Sequence, residues 1–134
     1  MDNDVRAAES DDAVAVELTR SGHVRENAAK EIIASFIYKT LPQIDQEALS
    51  ALWNQMYALV TSDPAFGFLG YADYKGADDT KLIIYRFASL DGLRRWTNDP
   101  GHMAVKRRGS EFFEWIRTEI STVTSAHTWL PTRT

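Results

Sequence analysis

Two runs of strand-forming residues, FGFLGYADY at 66–74 and KLIIYRFAS at 81–89, face each other across a six-residue polar turn, Lys75 to Thr80, that contains Gly76. Alternating aromatic and β-branched positions on either side of a short polar turn predict an antiparallel hairpin, so any fold for this chain must be built around one. Before the hairpin, Ala48, Leu49, Leu52, Trp53, Met56, Leu59 and Val60 recur at helical spacing, and Thr61-Ser62-Asp63-Pro64 ends the run. Residues 24–38 show a similar stripe, Ala28, Ile32, Ile33, Phe36 and Ile37, and predict a first helix broken before Pro42. Val14, Val16 and Leu18 alternate in AVAVELTR, residues 13–20, as in a half-buried strand stopped by Ser21-Gly22.

After the hairpin, Ser89 is placed to cap a short helix through Trp96, interrupted at Asn98-Asp99-Pro100-Gly101 and resumed from Met103 to about Phe113. The Thr, Ser, Ile and Val content from Glu119 to Trp129 favours a last strand ending near Pro131. The order is strand, helix in two pieces, strand, strand, helix, strand. This predicts an α+β domain over 13–130 with a ferredoxin-like, split βαβ antiparallel sheet, between an acidic, disordered tail at 1–12 and a short C-terminal tail at 131–134. Helices on one sheet face leave the other bare, which implies a homodimer in the manner of a dimeric α/β barrel.

Charge and composition exclude several functions. Asp2, Asp4, Glu9, Asp11 and Asp12 against Arg6 account for the whole net charge of −4, so the body is neutral and lacks the basic stripe of a nucleic-acid binder. With no Cys, thiol catalysis, disulfides and Cys-type zinc sites are excluded. No apolar run reaches the ~18 residues of a membrane span, and a cytoplasmic location is expected. His23, His102 and His127 are the only histidines, and no two have ligand spacing, so no metal is expected. No phosphate loop or G-x-S-x-G elbow is present.

The stretch LIIYRFASLDGLRRWTNDPGH, 82–102, with Ser89, Trp96 and Pro100-Gly101-His102, resembles the antibiotic biosynthesis monooxygenase type of dimeric α+β barrel. The passage SDPAFGFLGY, 62–71, is similar to the family's approach to its second strand. The resemblance implies a small-molecule enzyme in a superfamily of oxygenases, haem-degrading enzymes, isomerases and polyketide cyclases. Two departures bear on the reaction. Where the cofactor-free oxygenases carry an Asn and a Trp on the third strand, this chain has Ile83 and Phe87, which offer no hydrogen bond. The place of the haem-degrading branch's His is taken by Arg107. The interval of about 45 residues between the expected first and second strands, longer than the family's usual one, predicts an extra helix there.

His102, after a helix-breaking Asp-Pro-Gly turn, is the candidate general base, with backbone capping as the alternative role. Asp99 either orients its ring or only forms the turn. Tyr85 shares a strand face with Ile83 and Phe87, and Tyr71 lies on the neighbouring strand; these four, with Trp53 and Trp96 on helices, are the expected pocket wall, Tyr85 or Tyr71 donating to an oxyanion. Arg86 points to the opposite face from Tyr85, toward the space between subunits or an exposed edge. Lys106-Arg107-Arg108 and Arg94-Arg95 either attract an anion or form a solvated helix face.

The function that follows is a cofactor-independent monooxygenase for an aromatic, polyketide-like substrate. The alternatives are a non-oxidative cyclase or isomerase, and a non-catalytic ligand-binding accessory protein.

Overall fold

The computed structural model describes residues 30–132. Strand β1 (Ile32–Thr40) is followed by helix α1 (Gln46–Val60), strands β2 (Phe68–Lys75) and β3 (Lys81–Phe87), helices α2 (Leu90–Thr97) and α3 (Pro100–Lys106), and strand β4 (Phe113–Thr122). Single 3-10 turns occupy Pro64–Phe66 and Arg107–Glu111. The sheet runs β2-β3-β1-β4 with every neighbouring pair antiparallel. This is the expected α+β, ferredoxin-like arrangement, but its first strand is not the expected one.

Residues 32–40, read as the end of a helix, form the central strand β1, paired with β3 on one side and β4 on the other. The helical spacing arose because β1 is apolar on both faces. Ile32, Ala34, Phe36 and Tyr38 face the helices, while Ile33 and Ile37 lie on the opposite side, so the alternation that marks a half-buried strand is lost. The expected strand at 13–20 and the acidic segment 1–12 lie outside the described residues. With β1 ending at Thr40 and β2 starting at Phe68, the interval holds one helix, α1, and the expected extra helix is not there. The helix expected to run to Phe113 stops at Lys106, and β4 starts at Phe113 and ends at Thr122 instead of spanning 119–129.

Ile32, Ala34, Tyr38, Ile83, Tyr85 and Phe87 from the sheet meet Val60, Phe66, Leu93 and Trp96 in one core. Each helix begins on a side-chain cap: Asp45 accepts from Ala48 N–H at 3.1 Å, Ser89 from Gly92 N–H at 3.1 Å and Asp99 from His102 N–H at 3.0 Å. Helix α2 packs so closely on the Pro64–Phe66 turn that a Cβ at Gly92 would fall on the Phe66 carbonyl oxygen. Only glycine permits that approach, which holds Trp96, four residues on, against the sheet.

On the outer face, Ile33, Ile37, Leu82, Ile84, Ala72 and Tyr74 share one side by register, and Trp115 joins them opposite Lys39. Arg86 lies there too, with Glu31 as its carboxylate partner at 2.8 Å. The pair is partly exposed and worth about 0–1 kcal/mol. Among the described residues, no helix is long and apolar enough to cross a membrane.

Candidate functional site

The turn Asn98-Asp99-Pro100 folds α3 back across the end of α2. Pro100 starts α3, where its missing N–H is harmless, and His102 is the third residue of that helix. Its ring lies flat on the Trp96 indole, centroids 4.0 Å apart and planes 9° from parallel. Nδ1 is 2.9 Å from the Trp96 carbonyl oxygen. A carbonyl only accepts, so Nδ1 carries the hydrogen and Nε2 presents a lone pair. No described residue hydrogen-bonds Nε2. Burial lowers the imidazole pKa below its ordinary value; the Trp96 bond opposes it, and then Lys106 adds to the lowering while Asp99 opposes it. The ring is therefore held neutral and in one tautomer.

His102 stands on the wall of a 370 Å³ cavity between the helices and the sheet, a size that suits a small planar ligand. Ala34, Phe36, Tyr85 and Ile120 are among the residues of its sheet side, Trp53 and Met56 of α1 stand on another, and α2 and α3 contribute Trp96, Thr97, Val105 and Lys106. A second, more polar hollow of 830 Å³ lies against Trp53 and Tyr85, which line both spaces, and it collects all five tyrosines of the chain, Tyr38, Tyr57, Tyr71, Tyr74 and Tyr85.

The residues singled out in the sequence thus separate. His102, Tyr85, Trp53 and Trp96 line the inner cavity. Tyr71 and Ile83 line the second hollow. Phe87 is fully buried in the core and lines neither, and Arg86 is on the far face. Asp99 holds the backbone N–H of His102, not its ring. The inner cavity also uses Thr97, Thr118 and Met56, which the sequence does not mark as site residues, and Lys106, which the sequence offers only as one of a basic run that either attracts an anion or forms a solvated face. For Lys106 a signal existed, its spacing of four from His102.

Tyr85, packed edge-on to Phe36 at 5.6 Å and Phe68 at 4.9 Å, has its phenol pKa pushed far up by burial and then by Tyr71 and Tyr57. It stays a neutral donor. Burial likewise raises Tyr38. The nearby Trp53 indole opposes that rise without reaching hydrogen-bond geometry, so Trp53 Nε1–H is a buried donor with no partner. Among the described residues, no group of three or more His, Asp or Glu side chains could hold a metal.

No protein-family model matches the chain, and no curated protein matches it in sequence. Solved structures do. SnoaB, a cofactor-independent oxygenase from Streptomyces nogalater, is similar at a TM-score of 0.58 and 16% identity, over 78% of this chain and 100% of that one. A dimeric ferredoxin-like protein of unknown function from Thermobifida fusca gives 0.58 at 11%, covering 71% and 92%. A protein assigned as an antibiotic biosynthesis monooxygenase from Chloroflexus aurantiacus gives 0.55 at 13%, covering 73% and 97%. The chain shares the ferredoxin-like fold of these structures. This fold sets helices over one sheet face, and in this chain the inner cavity lies between the two layers.

Proposed function

We propose that the chain is a cofactor-independent monooxygenase acting on an aromatic, polyketide-like substrate. The observation that supports this reading best is the neutral imidazole of His102, its Nε2 lone pair unclaimed, on the wall of an apolar cavity. Nε2 removes a proton from a phenol or from a carbon flanked by carbonyls. The electron-rich anion passes one electron to O₂, and recombination of the two radicals forms a C–O bond. The resulting peroxide anion takes the proton back from the imidazolium, and the hydroperoxide then loses water to leave a ketone or quinone. The apolar walls of the cavity orient the ring, and Tyr85 offers a donor to the developing oxyanion.

Ile83 and Phe87 favour a second reading, because β3 supplies hydrocarbon where the related oxygenases carry hydrogen-bonding side chains. The same base without oxygen would enolise a substrate and promote cyclisation or isomerisation. Incubation with anthrones and naphthols in chelator-treated buffer, with and without air, separates the cases. O₂ uptake matching product supports the oxygenase. Turnover undiminished under anaerobiosis replaces it with the cyclase or isomerase, and ligand binding without turnover leaves an accessory binding protein.

We further propose that the outer sheet face pairs with a second copy. It offers Ile33, Ile37, Leu82 and Ile84 with Tyr74 and Trp115, the last two 56% and 40% exposed, a patch that isolated domains rarely leave bare. Ile84→Glu is expected to convert a dimer to a monomer in sedimentation equilibrium, and a wild-type monomer at high concentration would refute the pairing.

A further inference from the structure

Helix α3 brings a second polar group to the cavity. Lys106 follows His102 by four residues, so the two share one face of the helix, and both contribute to the cavity wall. Lys106 is the one Lys, Arg, Asp or Glu among the lining residues. Nearby basic side chains are engaged elsewhere, Arg108 by Glu111 at 3.0 Å and Arg95 by Asp91 at 3.1 Å. Among the described residues no carboxylate pairs with Lys106. An apolar cavity whose single full charge is an ammonium attracts one chemical class above others.

We infer that Lys106 holds the anionic oxygen of the ligand, so that the cavity selects phenols and enols acidic enough to ionise over neutral aromatics of the same shape. The inference rests on the cavity being the ligand site and extends that reading to the substrate's charge. Before a ligand enters, the ammonium one turn away adds to burial in disfavouring a positive charge on the imidazole. After Nε2 takes the proton, the oxyanion lies between imidazolium and ammonium. The anion between them offsets the repulsion between the two cations, against a wall that is otherwise apolar on the sheet and α1 sides. No carboxylate lines the cavity to compete with the ligand.

The test uses 4-nitro-1-naphthol, whose phenolate is coloured, and 1-nitronaphthalene as its neutral counterpart, each titrated with the full chain. Wild type is expected to bind the naphthol more tightly and to lower the pKa of the bound hydroxyl by about one to three pH units, as a neighbouring opposite charge does. Lys106→Met is expected to lose most of that lowering while still binding 1-nitronaphthalene, and Lys106→Arg to keep it. His102→Gln, which leaves the lysine in place, is expected to keep it as well. If Lys106→Met ionises the dye as wild type does, or if only His102→Gln abolishes the effect, the inference fails and the cavity reading survives. If wild type binds neither compound, both fail.

Discussion

His102→Gln is expected to leave aromatic ligands bound and to slow turnover by about 10²–10⁴-fold, the usual contribution of a positioned general base. Glutamine can still fill the space beside Trp96, but it has no basic nitrogen to turn toward the cavity. A loss of less than tenfold would remove His102 from the proton-transfer step. The pH dependence is a separate check. The reactive form is the neutral ring, and burial sets its pKa below the ordinary 6.5. The rate should therefore climb along an acid limb with its midpoint below that value and stay level across neutrality. Stability carries the same sign. The unfolded chain binds the proton more readily, so the contribution of His102 to folding is complete above about pH 6.5 and is lost as pH falls through the folded-state pKa. An acid limb centred above 6.5 would contradict the burial.

Trp96→Ala is expected to cost about 3–5 kcal/mol, the usual penalty for emptying a large buried aromatic site, out of a total of about 5–15 kcal/mol for a domain of this kind. Trp96 is 2% exposed and packs on Phe66 at 5.3 Å as well as on the imidazole at 4.0 Å. Urea unfolding at neutral pH measures the loss, and a change below about 1 kcal/mol would mean that the core closes over the gap. Trp96→Phe covers the case in which the alanine variant does not fold. Removing part of the indole also uncovers the ring above it, so the His102 pKa should move back toward 6.5, visible in the imidazole C2 proton on titration by NMR.

How far the sequence could be read depended on which faces of each element are buried. The hairpin was plain because its turn is polar and its strands are rich in aromatic and β-branched residues. Helix α1 kept one apolar stripe, and its extent was read closely. β1 reads as a helix in sequence because apolar residues on both faces mimic helical spacing, and the strand expected at 13–20 lies outside the described residues. β4 was placed too late, since Glu114, Arg117 and Glu119 break up its apolar pattern near the start. At the site, the Asp-Pro start of α3 and the place of His102 on it follow from local turn chemistry. The Trp96 carbonyl that holds its ring does not, because that contact depends on how α3 folds back over α2. Lys106 was hidden within a run of three basic residues, where nothing local distinguishes the one turned to the cavity from its neighbours.

The bond between Nδ1 and the Trp96 carbonyl also closes one exit. An imidazole free at both nitrogens can act as a relay, collecting a hydrogen ion on one side and discharging it on the other. Here the back of the ring is sealed against the main chain, so whatever Nε2 collects departs by the route it came. Each catalytic cycle would then have to return that hydrogen ion to the bound intermediate or release it through the entrance the reactant used, coupling resetting of the base to the fate of the product.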